Sequence, residues 1–427
     1  VAPRVPIYYA GYIQDKFSFK DIIFRLGLRV DYYDANTRVM KDPYALYEIE
    51  TAKDYYARIG KDQPSSIGDE YKVYVESAES DAIVGFRKAD QWYYPNGTAT
   101  DGNILMAGKL VNPSYVGRAD GSRILNIKDP DYDPNNSFED YTPQFNFMPR
   151  IAFSFPISDE AGFFAHYDVT VQRPPDNSFG SPLIYYYFED NVRSLYANPN
   201  LKPEKTVDYE VGFQQKLSNT SALKISSYYK ELRDMIQRRV FPFIPTPVNQ
   251  YESYDNIDFG TVKGFSFTYD YRRTGNLEFQ VAYTLQFANG TGSDANSSRG
   301  INTRGNLRYL IPLSYDERHR ISSIIDYRYA SGKRYNGPRI AGLDILANTG
   351  VNMLVTAVSG RPYTRTSNPT AFGGSGFLGA INGARLPWYF NMDLKIDKDI
   401  SIRDKAFVNV YFRIQNILDI KNVIGVY

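Results

Sequence analysis

The stretch Leu201 to Asp234, LKPEKTVDYEVGFQQKLSNTSALKISSYYKELRD, sets the pattern for the whole chain. Val207, Tyr209, Val211 and Phe213 alternate with Thr206, Asp208, Glu210, Gly212 and Gln214. Side chains on an extended strand point to opposite faces with a period of two, so this alternation gives one apolar and one polar face. The polar turn Ser218-Asn219-Thr220-Ser221 follows, and then Leu223, Ile225 and Tyr229 alternate with Lys224, Ser226, Tyr228 and Lys230. The pattern predicts an antiparallel hairpin. Its arms, about ten residues each, are long enough to cross a bilayer when tilted.

The same dyad recurs from end to end. Ile22, Phe24, Leu26, Leu28 and Val30 alternate with Arg25, Gly27, Arg29 and Asp31. Phe279, Val281, Tyr283 and Leu285 alternate with Glu278, Gln280, Ala282, Thr284 and Gln286, and Met392, Leu394 and Ile396 with Asn391, Asp393, Lys395 and Asp397. About twelve strands are predicted, near 8–17, 22–33, 148–155, 162–171, 206–216, 222–232, 261–271, 277–287, 319–329, 349–358, 389–398 and 406–416. A partial strand is expected at 423–427.

The connections alternate in length. Ser18–Asp21, Pro156–Ala161, Leu217–Ser221, Arg272–Asn276 and Ser401–Lys405 are short, whereas 34–147, 173–205, 233–260, 288–318 and 359–388 are long. The stretch 331–348 departs from this rule. Short turns at one end and long loops at the other characterise transmembrane barrels of the outer membrane, with the long loops extracellular. A soluble β-sandwich with tyrosine-rich edges is the competing reading, but it carries shorter strands and no such asymmetry.

Composition narrows the class further. Tyr, Phe and Trp number 38, 26 and 2, and pairs such as Tyr8-Tyr9, Tyr32-Tyr33 and Tyr327/Tyr329 fall near strand ends, where rings sit at headgroup depth. Mean hydropathy is −0.44, and no apolar run is long enough for a membrane helix, although lumen-facing residues dilute the hydropathy of every barrel strand. The net charge of +1 argues against bulk attraction to nucleic acid, and with no cysteine there is no disulfide framework or thiolate metal site.

Five segments carry a resemblance. ANPNLKPEKTVDYEVGFQQKL (197–217) resembles the strand-entry signature of TonB-dependent outer-membrane receptors, and RIQNILDIKNV (413–423) resembles their closing region. AGYIQDKF (10–17) with LGLRVDYYDA (26–35) is similar to paired mid-barrel strands of that family, and PLSYDERHRIS (312–322) to its loop-to-strand segment. The likeness runs from about residue 10 to 427 and is nearest to the large receptors with an N-terminal carboxypeptidase-regulatory-like domain. It implies an all-β, antiparallel up-and-down transmembrane barrel, with about 12–13 of a probable 22 strands present here. The expected domain is then 1–427 as the C-terminal part of a receptor barrel, without the plug or the earlier strands. On that view the strand near 8–17 pairs with β-structure outside this sequence rather than with 406–427.

No catalytic constellation is legible, and the expectation is a protein that is not an enzyme and needs no cofactor. His166 and Asp168 share the polar face of one strand, but a lumen histidine in a polar network is the commoner arrangement. Asp131, Asp133 and Asn135 in the acidic loop 126–141 offer alternate oxygen ligands of the kind Ca²⁺ takes, without the glycine an EF-hand requires. The better binding candidates are the loop aromatics Trp92, Tyr93, Tyr94, Tyr185, Tyr186 and Tyr187, whose faces can stack on sugars, peptides or catechols; packing between loops is the alternative use. Arg173 and Arg361, where strands leave the bilayer, could meet lipopolysaccharide phosphate or a neighbouring acid.

The resemblance implies a Gram-negative outer-membrane protein that binds a nutrient at extracellular loops and imports it through the lumen. Its expected partners are outer-membrane lipid and lipopolysaccharide, the TonB complex acting through a plug, and a surface lipoprotein or another outer-membrane subunit. The alternative is a scaffold barrel of an outer-membrane assembly that does not transport.

Overall fold

Twelve long strands form one antiparallel sheet in strict sequence order, each built on a stretch where apolar and polar residues alternate. The structure, a computed structural model, describes residues 5–77, 80–106, 111–117, 125–174, 182–190, 195–242, 248, 250–297, 309–370, 373–403 and 406–426. The strands are β1 (Ile7–Phe19), β2 (Ile22–Asp34), β3 (Gln144–Ser158), β4 (Ala161–Gln172), β5 (Glu204–Ser218) and β6 (Ser221–Pro242). The second half comprises β7 (Gln250–Thr274), β8 (Leu277–Gly290), β9 (His319–Arg328), β10 (Thr349–Val358), β11 (Tyr389–Arg403) and β12 (Ala406–Ile414). Every neighbour in sequence is a neighbour in the sheet, so the short turns gather at one end, together with the longer 329–348 connection, and the other long connections lie at the opposite end. Each of the twelve predicted strands is present. Among the described residues β1 does not ladder onto β12.

Two expectations change. Residues 423–426 form no strand. The connection 233–260 is mostly strand, because the β6–β7 ladder continues past Leu232↔Gly260 to Pro242↔Gln250. The register shifts on either side of Met235, next to Asp234, whose φ of 55° lies in the left-handed region that Asp tolerates. That bulge moves the apolar positions from odd numbers (Leu223, Ile225, Tyr229) to even ones (Ile236, Val240), so a simple period-two reading loses the strand there.

The apolar face carries aromatic pairs at two levels. Near the short turns lie Phe17–Phe24 (5.3 Å between ring centres), Phe155–Phe163 (5.2 Å) and Tyr271–Phe279 (5.1 Å). Toward the long connections lie Tyr32–Phe145 (5.0 Å), Tyr167–Tyr209 (5.2 Å) and Tyr283–His319, with His319 also stacked on Trp388 at 5.8 Å. Two aromatic rows bracketing Leu, Ile and Val match the girdles of a membrane barrel. Among the described residues no helix is long and apolar enough to cross a membrane, and the crossing is made by strands.

The longest connection folds into a body of its own. Helix α1 (Ala52–Ile59) starts at Thr51, whose side chain accepts from the Asp54 amide at 3.2 Å, and stops at Gly60 with φ 64°. Its buried Ala52 and Tyr55 pack with Ile67 of the following loop and with Val73, Val75 and Phe86 of a small antiparallel sheet. That sheet has the order Ala99–Thr100, Gln91–Tyr93, Ile83–Lys88, Lys72–Val75, Asn112–Pro113. Arg38–Met40 pairs with Phe138–Asp140 and closes the base of the insert.

Candidate functional site: an aromatic cap at the end of a polar wall

The polar face of the sheet carries ion pairs within single strands and across one or two strand spacings. Arg29 meets Asp31 at 2.8 Å, with the Tyr8 hydroxyl donating to the same carboxylate at 2.7 Å. Arg150 pairs with Asp168 (3.0 Å), Lys230 with Asp208 (2.7 Å), Arg328 with Asp397 (2.8 Å) and Arg413 with Asp393 (3.1 Å). His166 lies 3.6 Å from Glu210 in the same array, as a member of the polar network. Tyr228 donates to Gln286 at 3.0 Å by lying across Gly264, where a Cβ would stand 2.6 Å from the tyrosine oxygen. Pairs that water can reach contribute about 0–1 kcal/mol each, so this wall is weak evidence for stability and good evidence for a wet passage.

Above it, three long connections meet in one aromatic core. Tyr44, Tyr74 and Trp92 come from the 34–147 insert, Tyr185, Phe188 and Tyr196 from the next connection, and Phe241 and Tyr251 from the protruding tip of β6–β7. Trp92 packs against Tyr74 (4.8 Å) and edge-on against Tyr44 (5.8 Å), while Tyr196 meets Tyr185 (5.7 Å) and Tyr251 (5.6 Å). Burial pushes the Tyr44 and Tyr185 hydroxyls well above the usual phenol range, which keeps both neutral.

Two arginines hold this core. Arg87, 3 % exposed, lies 4.4 Å over the Tyr44 ring and pairs with Asp42. Burial opposes its charge, but Tyr74 and Asp42 outweigh that and hold the guanidinium protonated. Arg239 at the β6 tip reaches Asp90 of the insert (2.8 Å), Asp255 of β7 (2.7 Å) and the Tyr44 hydroxyl (2.9 Å). Crowding works against ionisation of Asp90; the Arg239 contact prevails and holds its carboxyl below the usual range. A cavity of about 190 Å³ opens at this junction, lined by Asp90, Asn198, Asn200, Arg239, Tyr251 and Asp255 among others. No period-two pattern marks Arg239, because it lies beyond the bulge that hides the end of β6.

The six aromatic candidates divide. Trp92 and Tyr185 are buried in the shared core, and Tyr94 packs against it. Tyr93 packs on the insert's own core and lies 4.7 Å from the Tyr71 ring. Tyr186 and Tyr187 are exposed, edge to face at 5.0 Å, with the Lys128 ammonium 5.8 Å from each ring. Asp190 holds Lys128 at 2.5 Å.

The acidic candidates have local duties. The Asp133 carboxylate accepts from the Asn135 amide at 2.9 Å and caps the short helical turn Pro134–Asn136. The Asn135 side-chain oxygen accepts from Arg38, and the Asp131 amide donates to Asp129 at 3.1 Å. Among the described residues no group of three or more His, Cys, Asp or Glu is placed to hold a metal. Arg173 lies 4.5 Å over the Tyr8 ring, and Arg361 pairs with Glu317 at 2.8 Å.

A family model described as TonB dependent receptor-like, beta-barrel matches residues 6–417. No curated protein matches by sequence. Solved structures similar in fold include the ferric-catecholate import receptor Fiu of E. coli K12, at 12% identity and a TM-score of 0.48, covering 98% of this chain and 41% of that one. The FrpB iron transporter of Neisseria meningitidis (10% identity, TM-score 0.47, 96% and 41% covered) is another. So is the hemophore receptor HasR of Serratia marcescens, solved as a double mutant with its hemophore and heme (12% identity, TM-score 0.48, 97% and 48% covered). The chain spans less than half the length of each of these three.

Proposed function

Since the chain belongs to the TonB-dependent receptor β-barrel family, and so to the outer membrane of Gram-negative cells, we propose that it forms the wall and cap of a nutrient importer. The supporting observation is the stacking of two unlike layers. A folded cap of aromatic side chains sits at the long-connection end of a wall lined with paired charges. In this reading the long connections face outward. The exposed rings of Tyr186 and Tyr187, with Lys128 beside them, stack on a planar or sugar-ring part of the nutrient. The ligand then passes along the polar wall once TonB, driven by the inner-membrane proton gradient, displaces a plug. The protein contributes binding and gating and makes or breaks no covalent bond.

The test is whole-cell uptake of radiolabelled glycans, peptides and ferric catecholate, with and without a proton uncoupler. Uptake of one class should need both the protein and the gradient, and Tyr186→Ala with Tyr187→Ala should lower apparent affinity by roughly tenfold, about 1.4 kcal/mol. Uptake that persists in the uncoupler would show a passive pore. Absence of uptake for every class, in cells whose outer-membrane assembly fails without the protein, would show a scaffold instead.

A further inference from the structure

One connection at the short-turn end has no use in the import reading. Residues 329–348 join β9 to β10, where β5 and β6 need only Asn219 and Thr220. The connection folds against the lipid side of the sheet. Its buried Tyr335 packs 6.0 Å from the Tyr329 ring, which meets Tyr327 edge to face at 5.4 Å. Tyr327 stands opposite Leu277 and Val351 on the apolar face. Lys398 of β11, opposite Thr349 and Val410 on that same face, donates to the Ile345 carbonyl.

The tip is a two-residue turn. Ile340 and Leu343 exchange backbone bonds of 3.2 and 2.9 Å around Ala341 and Gly342, whose φ angles are 50° and 79°. Turns with two positive φ values favour Asn-Gly or Asp-Gly, so Ala341 holds an unfavourable backbone without adding a polar side chain. Pairing sets Ile340 and Leu343 side by side, 62 % and 68 % exposed, with Ile345 beyond them. The amides of Ile340, Leu343, Ile345, Leu346 and Ala347 all find acceptors inside the connection, as backbone away from water requires. The apolar surface continues alongside. β10 ends at Thr349 opposite Lys398, but β11 runs on to Arg403, and Ile400 stands exposed opposite Val408 on its lipid side. The Asp399 amide bonds to the Asn348 carbonyl at 3.1 Å and fixes the connection beside that arm.

We propose that residues 329–348 form a wedge in the membrane interface, with Ile340, Leu343 and Ile345 among the phospholipid acyl chains at the short-turn end. Continuity selects lipid over a protein partner. The aliphatic tip extends a surface that already faces hydrocarbon at Val351, Ile396 and Ile400, and an apolar patch joined to a lipid-facing surface marks a membrane contact. Assigning that leaflet to the periplasmic side rests on the outward reading of the long connections.

Single-cysteine spin labels on the intact protein in zwitterionic phospholipid bilayers test it, since the sequence has no cysteine. A label at L343C should meet oxygen in preference to a water-soluble nickel chelate, and one at N219C should show the reverse. Hydrogen exchange without labels gives a second reading: amides 340–347 should exchange at least about tenfold faster in I340S/L343S. K333Q/R334Q, which removes two exposed cations of the same connection, should leave that exchange unchanged. Dominant collision with nickel at L343C would overturn the inference. So would shielding from both reagents, which would place a protein surface or a second copy over the tip. Loss of protection in K333Q/R334Q would replace the apolar wedge by attachment through charge, and so overturn it too. Orientation is read apart from depth, by thiol labelling of intact cells. Reagent reaching a cysteine at Asn96 supports the outward reading, and reagent reaching Asn219 instead overturns that premise while the depth result stands.

Discussion

The sheet and the cap solve the folding problem in opposite ways. Each sheet strand is written locally: one residue in two faces lipid, the next faces water, and partners are the nearest strands in sequence. The cap is written at long range. Arg239 bonds Tyr44 across 195 positions, and the Tyr251 hydroxyl donates to the Pro43 carbonyl across 208. A periodic code specifies where a chain crosses a membrane, and a dispersed one specifies what it builds outside. The comparison also separates two uses of tyrosine, as a girdle on the sheet and as core and surface in the cap.

The largest effect expected is in the cap. Arg87→Ala leaves Asp42 without its buried partner, and breaking such a pair costs about 3–5 kcal/mol. Hydrogen exchange should show 38–140 losing protection while β4–β8 keep theirs. Loss of protection in both regions together would mean that cap and sheet fold as one unit.

On the sheet, Val281→Arg puts charge on the lipid face at a cost of about 2–4 kcal/mol. Gln280→Arg, one residue away, adds a cation beside Asp270, to which Gln280 donates at 2.5 Å, and should cost well under about 1 kcal/mol. Heat-modifiable migration after membrane assembly reads the difference. Equal behaviour of the two would contradict the assignment of faces.

Those neighbouring residues show why the sheet was legible. Alternation such as Glu278, Phe279, Gln280, Val281 needs no knowledge of distant partners, because each strand must satisfy water on one side and hydrocarbon on the other. It fails at Asp234, where a bulge changes which positions are apolar and hides the ends of β6 and β7. It is silent about the cap. The sequence marks Trp92 and Tyr186 alike as loop aromatics, yet one is buried and the other exposed, since that depends on contacts with Tyr44, Tyr74 and the β6–β7 tip. Asp133 and Asn135 show the same limit: acidic spacing suits a cation as well as it suits a capped turn and a bond to Arg38.

Smaller effects sharpen the contrast. Thr51→Ala removes the N-cap of α1 and should cost about 1 kcal/mol, read as faster exchange confined to the insert. The Asp90–Arg239 contact gives the cap a modest pH dependence. Because the folded carboxyl titrates below the unfolded value near 3.9, its contribution is complete above that value and is lost as pH falls through the folded one. Cap exchange should therefore speed up from about pH 5 to about pH 3 more in the unaltered protein than in Asp90→Asn. The same change in both would remove Asp90 from the account.

The central claim, that one face of the sheet meets hydrocarbon and the other water, is tested most directly along β8. The absence of cysteine allows single cysteines, and hence spin labels, at each position from 278 to 286 in reconstituted bilayers. Collision with oxygen should dominate at Phe279, Val281, Tyr283 and Leu285, and collision with a water-soluble nickel chelate at Glu278, Gln280, Ala282, Thr284 and Gln286. Accessibility that varies smoothly along the strand, or alternates in the opposite phase, would contradict it.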